Sequence, residues 1–307
     1  MTEIPFVIFI MGPTATGKTD LAIYLHKKIN SEIISVDSAM VYRGLDIGTA
    51  KPNKELLEKV PHRLIDICDP VETYSAARFQ QDAYLAINEI YDKGKIPILV
   101  GGTGLYFRAL EYGLDKLPEA NYLVRAKIEE EAETEGWKYM HSKLGKIDAK
   151  SATRINQNDT QRIQRALEVF EITGRTLTEL TEKSKKKSFP FAIKKIILFP
   201  NDRLQLRERI KQRFHEMLKN GLVEEVESFY HRDDLSSKLP SMRLVGYRQI
   251  WRYLDNQITY KEMQEHSIIA TQQLAKRQLT WCRAEKGAEC YDSYKSEIFP
   301  QILDNLK

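Results

Sequence analysis

Gly12-Pro13-Thr14-Ala15-Thr16-Gly17-Lys18-Thr19 is the stretch on which the reading of this chain turns. It fits the G-x-x-x-x-G-K-[ST] phosphate-loop pattern at every fixed position. The apolar run Phe6–Met11 precedes it and the helix-period segment Lys18–Ile29 follows, which is the strand–loop–helix setting the pattern requires. In that setting the glycines let backbone N–H groups converge on phosphate oxygens at a helix N-terminus, Lys18 supplies a point charge, and the Thr19 hydroxyl can ligate Mg2+. The loop specifies a phosphate ligand and leaves the reaction open.

Further apolar runs at Ile33–Val36, Leu64–Ile67 and Ile96–Val100 read as buried strands, with another at Ile196–Phe199, and Ser75–Asp92 reads as a helix. Such alternation predicts an α/β fold whose parallel sheet is covered by helices on both faces, with a nucleotide-kinase-like core. From about Glu111 to Ser188 the sequence is charged and helical without strand signals, and the run at Ile196 then resumes the sheet. The expected organisation is a catalytic core of residues 1–111 and 189–307 interrupted by an all-helical insertion, 112–188. The closing third reads as helices at Arg203–Asn220, Val223–Tyr230 and Lys261–Lys286.

Composition permits this reading without compelling it. Of 307 residues, 42% are hydrophobic and 29% charged, the balance of a chain able to bury a core, and the formal charge of +4 allows a phosphate-rich partner. The three cysteines, Cys68, Cys282 and Cys290, lie too far apart for a disulfide framework or zinc site, which points to a reducing cytoplasm. His62, His141, His215, His231 and His266 show no metal-ligand spacing. No segment approaches the roughly 18 apolar residues of a spanning helix, so no membrane partner is expected.

Several motifs cluster where a ligand would sit. Asp37 follows the second strand, and in open α/β sheets ligands gather at the carboxyl ends of strands. A carboxylate there can hold magnesium through water, accept a proton from a nucleophile, or serve only as a turn or helix-cap residue. Gly101-Gly102-Thr103-Gly104 follows another strand and offers close backbone approach or a tight turn, with Thr103 the residue able to touch a ligand. Arg209 and Arg213 lie four apart on one helix face, where they suit either a diphosphate or solvent. In the insertion, Ile163, Ala166, Leu167 and Phe170 mark an apolar helix face, so Gln161, Gln164 and Arg165 share a polar one. The basic run Lys183, Lys185, Lys186, Lys187 reads as a solvated linker or a phosphate contact. The strings Met242–Gln249 and Gln273–Trp281 mix cations, aromatics and amides, which suits nucleic acid and equally suits an amphipathic core helix.

Taken in order, GPTATGKT, SVDSAMVYRGLDIGTAKP, GGTGLYFRAL, NQNDTQRIQRALEV, MRLVGYRQIW and QLAKRQLTW resemble the successive blocks of the tRNA dimethylallyltransferase family over nearly the whole chain. The zinc finger that eukaryotic members add is absent, so the likeness is to the compact bacterial type. The resemblance implies transfer of a dimethylallyl group from its diphosphate to N6 of adenosine 37 in tRNA by a monomeric enzyme. It assigns the diphosphate to residues Gly12 to Thr19 and an arginine of the Arg203–Arg213 helix, with Mg2+ at Thr19 and Asp37 as base. It places tRNA contacts at Asp37, Ser38, Ala39, Met40, Thr103, Arg125, Gln161, Arg162, Ile163, Gln164 and Arg165, and at Arg243 and Arg248. The aspartate-rich signature of helical prenyl synthases is missing, since Asp233-Asp234-Leu235-Ser236-Ser237 does not complete it, and phosphate binding must rest on the loop. Two neighbouring activities share much of this pattern: a small-molecule or nucleotide kinase, and an isopentenyltransferase acting on free adenylate.

Overall fold

The computed structural model describes residues 5–182, 189–295 and 297–306, so the lysine run Lys183 to Lys187 lies outside the described residues. In chain order the first elements are β1 (Phe6–Met11), α1 (Lys18–His26), β2 (Ser31–Val36), α2 (Lys54–Lys59), β3 (His62–Arg63), α3 (Ala76–Asp92), β4 (Ile96–Gly101) and α4 (Gly104–Tyr112). Five helices follow: α5 (Tyr122–Glu135), α6 (Trp137–Ile147), α7 (Ala149–Arg154), α8 (Thr160–Thr173) and α9 (Leu177–Glu182). The chain closes with β5 (Ala192–Phe199), α10 (Arg203–Lys219), α11 (Leu222–Tyr230), α12 (Tyr247–Leu254), α13 (Tyr260–Ala284), β6 (Ala288–Asp292) and α14 (Ile298–Leu306). Two compact units result, Met1–Glu111 with Phe189–Lys307, and Tyr112–Ser188.

The larger unit is built on a six-stranded parallel sheet in the order β3-β2-β4-β1-β5-β6. The two strands at its centre, β4 and β1, carry no polar side chain because both faces are covered. Val7, Phe9 and Met11 of β1 pack with Ile34, Val36, Leu99 and the α3 residues Phe79, Ala83, Ile87 and Ile90 on one face. Ile8 and Ile10 pack with Ile33, Ile98, Val100, the α1 residues Leu21 and Leu25, and the α14 residues Ile298 and Ile302 on the other. The period-2 alternation of a strand thus divides one apolar run between two cores.

One sequence expectation is corrected, and one strand was not anticipated. Leu64–Ile67 is not a strand: the paired residues on either side are His62–Arg63 and an isolated bridge at Cys68 to Tyr42, and Leu64 and Asp66 take left-handed backbone at φ 62° and 56°. Leu64 and Ile67 still pack against the core, which is why the run reads as buried. The edge strand β6 carried no apolar signal, because of its sequence AECYD only Tyr291 is buried. The smaller unit is all-helical, with Ile128, Met140, Leu144, Ile155, Ile163, Ala166 and Leu167 at its centre. Among the described residues no helix is long and apolar enough to cross a membrane.

Candidate functional site

Three strands end level with one another. Met11 of β1 and Val36 of β2 both stand opposite Gly101 of β4, so the loops that follow start side by side at the carboxyl edge of the sheet. The turn from β1 into α1 needs unusual backbone: Gly12 and Gly17 sit at φ 150° and 77°, and Ala15 at 64°. A Cβ on Gly12 would lie 2.5 Å from the Leu198 carbonyl oxygen, so only glycine fits there. Ala15 is an L-residue in left-handed backbone, a strain of about 1–2 kcal/mol that clusters at ligand-binding loops.

Neighbouring segments brace this loop. Thr16 Oγ1 donates to the Pro13 carbonyl at 2.8 Å, and Lys18 Nζ folds back to the same oxygen at 2.5 Å. Gln278 of α13 joins two loops at once: its Oε1 accepts the Thr14 N–H at 2.9 Å and its Nε2 donates to the Gly102 carbonyl at 3.1 Å. A Cβ on Gly102 would strike that amide, and one on Gly101 would strike the Val36 carbonyl. Gln278 stood in a string that suited nucleic acid, and nothing in its spacing distinguished this role.

The loops enclose a cavity of about 680 Å3 lined by Thr14 to Asp20, Asp37, Met40, Thr49, Arg209, Arg213 and Gln278. Arg213 reaches Thr14 Oγ1 at 3.3 Å. Burial first, and the neighbouring Arg213 guanidinium second, lower Lys18 to about 8, while Asp37 opposes the shift. Arg213 is itself lowered by burial, again against Asp37. Two crowded cations facing one carboxylate form a site that gains from an incoming anion. Cys282 is buried nearby, and its thiol is pushed up to about 12 by burial.

Asp37 is the first residue after β2. Its Oδ1 accepts the Ala39 N–H at 2.8 Å and the Met40 N–H at 3.4 Å, fixing the carboxylate by an Asx turn with the rest of the group toward the cavity it lines. Thr103 Oγ1 accepts the Ser38 N–H at 3.2 Å, tying this turn to the glycine loop. Asp46 to Gly48, the segment that leads into the lining residue Thr49, is held by Glu225, whose carboxylate accepts the Asp46, Ile47 and Gly48 amides at 3.0, 2.7 and 3.2 Å and the Tyr247 hydroxyl at 2.5 Å. Sequence reasoning passed over Glu225, because an acid on an amphipathic helix carries no signal of a distant loop.

The other candidates separate. Arg209 lines the cavity with its guanidinium 4.2 Å from the centre of the Tyr294 ring, while Arg203 and Arg207 are exposed and outside it. Arg243 and Arg248 are exposed and also outside it. In the helical unit, Gln161 and Arg162 are exposed, Gln164 Nε2 donates to Glu129 at 2.8 Å, and Arg125 and Arg165 both bond Glu168. The side chain of Ile163 lies at 0% exposure in that unit's core, away from the polar face that carries Gln161 and Arg162. Among the described residues there is no cluster of three or more His, Cys, Asp or Glu able to hold a metal.

Residues 40–285 match the family model described as IPP transferase. The chain belongs to the IPP transferase family. As such it is 56% identical over 285 residues to a tRNA dimethylallyltransferase of Thioalkalivibrio sulfidiphilus, spanning 93% of this chain and 89% of the relative. It is 52% identical over 307 residues to a tRNA dimethylallyltransferase of Coxiella burnetii, spanning 100% of this chain and 99% of the relative. Solved IPP transferase-like structures agree. A full-length tRNA isopentenylpyrophosphate transferase from Bacillus halodurans superposes with TM-score 0.72 at 35% identity, over 99% of this chain and 96% of that one. A eukaryotic dimethylallyltransferase described as acting on tRNA does so with TM-score 0.76 at 26% identity, over 94% and 74%.

Proposed function

We propose that this IPP transferase family member transfers the dimethylallyl group of dimethylallyl diphosphate to N6 of adenosine 37 in tRNA. The observation that carries the reading is the cavity in which Lys18 and Arg213 crowd together beside the Gly12–Gly17 amides, facing Asp37. An exocyclic adenine amine is a poor nucleophile, so the reaction needs a leaving group that departs readily and a base for the proton. The allylic C–O bond breaks and the diphosphate takes its electron pair. Lys18, Arg213 and the loop N–H groups stabilise the charge that develops there. The N6–C bond forms and the N6 proton passes to Asp37.

The donor set fits magnesium. Mg2+ is commonly bound by one or two protein oxygens together with substrate phosphates, and the Thr19 hydroxyl lines the cavity beside the phosphate loop. Thr19 and the diphosphate oxygens would hold the ion, which supplies further neutralisation of the departing charge. The stacked adenine must be extruded from the anticodon loop to be reached, as base-modifying enzymes generally require. Asp37 to Met40 and Thr103 receive it, and the helical unit, through Arg125, Gln161, Arg162, Gln164 and Arg165, grips the stem-loop. Arg243 and Arg248 add exposed cations for the RNA backbone.

The test is transfer of labelled dimethylallyl diphosphate to an unmodified anticodon stem-loop bearing adenosine 37, with Mg2+ and without ATP. Label in the RNA is expected. Absence of label, with ATP consumed in the presence of small acceptors, would replace this reading by a kinase; label on free adenylate alone would make the chain an adenylate isopentenyltransferase.

A further inference from the structure

Glu168 of α8 is at 0% exposure inside the helical unit, and four donors converge on its carboxylate. Oε1 accepts the Asn121 N–H at 2.8 Å and Arg125 Nε at 2.9 Å; Oε2 accepts Arg125 Nη2 at 3.1 Å and Arg165 Nη1 at 2.6 Å. Arg165 Nη2 is held from its other side by the Pro118 carbonyl at 2.6 Å. Burial alone would raise the carboxyl, yet the two arginines hold it below the ordinary carboxylate range, so it is ionised.

The guanidinium groups stay partly exposed while their carboxylate is sealed. Arg125 and Arg165 keep side-chain exposures of 40% and 28% against 0% for Glu168. Each guanidinium has five N–H donors, and the bonds above use two on either residue, leaving the others for solvent or ligand. The three side chains sum to a net +1. A buried ion cluster is an expensive way to stabilise a small helical unit, since apolar residues of similar volume often do as well. What it provides is a fixed pair of planar forks on two different helices.

We infer that Glu168 is a positioning residue for RNA: it presets Arg125 and Arg165 as a rigid fork that takes phosphate oxygens of the tRNA backbone. The inference rests on the reading that the helical unit grips tRNA. Fixing both forks beforehand lowers the rotamer entropy lost on binding, and planar forks match phosphate oxygens in pairs.

Charge and positioning predict opposite signs, which makes the inference decidable. Glu168→Gln raises the net charge of the cluster, so an electrostatic account predicts tighter RNA binding. The amide offers one acceptor oxygen in place of two and turns an NH2 donor toward the donors that held the other, so the forks lose part of their anchor, and the positioning account predicts weaker binding. The experiment measures affinity for the anticodon stem-loop across a range of salt, together with steady-state kinetics of the full chain. For Glu168→Gln we expect binding about tenfold weaker, the loss of one charge-assisted contact. The dependence of log affinity on log salt becomes shallower by about one. The KM for tRNA rises with it, while kcat and the KM for dimethylallyl diphosphate hold. Binding equal to or tighter than wild type overturns the inference. Should the amide variant fail to fold, Arg165→Lys decides: it keeps the charge, leaves Glu168 with Arg125 and Asn121, and is expected to weaken RNA binding severalfold, whereas wild-type affinity overturns the inference. If the wild-type chain itself does not bind the stem-loop, the tRNA reading fails and the inference falls with it.

Discussion

Arg213→Ala should produce two effects together. Arg213 reaches Thr14 Oγ1 at 3.3 Å beside the phosphate loop, and on the proposed function its loss removes a charge-assisted partner from the diphosphate. Such a contact contributes about 1.5–3 kcal/mol, or roughly ten- to hundredfold in Kd. The same guanidinium is the second cause, after burial, of the lowering of Lys18 to about 8. A lysine lowered in the folded state is charged below that value and loses its charge as pH rises through it. Between 8 and the ordinary 10.5 the unfolded chain holds a proton that the folded chain does not, so in that window this group's contribution to stability rises with pH. Diphosphate affinity of the intact protein is therefore level below pH 8 and falls above it. In Arg213→Ala, affinity is lower throughout, but its fall is displaced to higher pH because the repulsion on Lys18 has gone. Calorimetric titration with inorganic diphosphate from about pH 7 to pH 10 reads both effects, and the intact protein should take up a proton on binding in the upper part of that range. A weaker variant whose midpoint stays put or moves down would refute the account of two cations crowding one cavity.

Asp37→Asn keeps an oxygen to accept the Ala39 and Met40 amides, so the turn survives while the base is lost; prenyl transfer should drop by about 10^2–10^4 with diphosphate binding retained. Gly104→Ala would put a Cβ 2.5 Å from the Trp281 ring and should cost about 1–3 kcal/mol, seen as a lower Tm. Gly145→Ala in α6 meets only Ala152 Cβ at 3.7 Å and should instead raise stability of the helical unit by about 0.5–1 kcal/mol. On the proposed function the extruded base and the diphosphate share one cavity, so tRNA should add first; product-inhibition patterns showing free addition in either order would contradict this.

The sequence showed the phosphate loop and the central strands because both depend on local pattern: an apolar run, fixed glycines, then a helix. It also showed the arginine helix, but not which arginine reaches the loop, since Arg209 and Arg213 are equivalent in helical period. Tertiary packing separates them, giving Arg209 the Tyr294 ring and Arg213 the Thr14 hydroxyl. Leu64–Ile67 misled because apolar side chains can reach a core from left-handed loop backbone as well as from a strand. Gln278, Glu225 and Glu168 were missed for one shared reason. Each acts by receiving or donating hydrogen bonds across long sequence separations, and an isolated amide or carboxylate on a helix looks the same whether it faces solvent or a distant loop.

The bridge made by Gln278 also bears on the order in which the molecule is synthesised. The glycine loop leaves the ribosome some ninety residues after the phosphate loop. The amide that fastens the two arrives with α13, after the whole helical insertion has been made. A nascent chain can carry every residue of the phosphate motif and still lack the geometry that motif implies. The joining of these two loops is therefore a later event than the synthesis of either, and waits on α13.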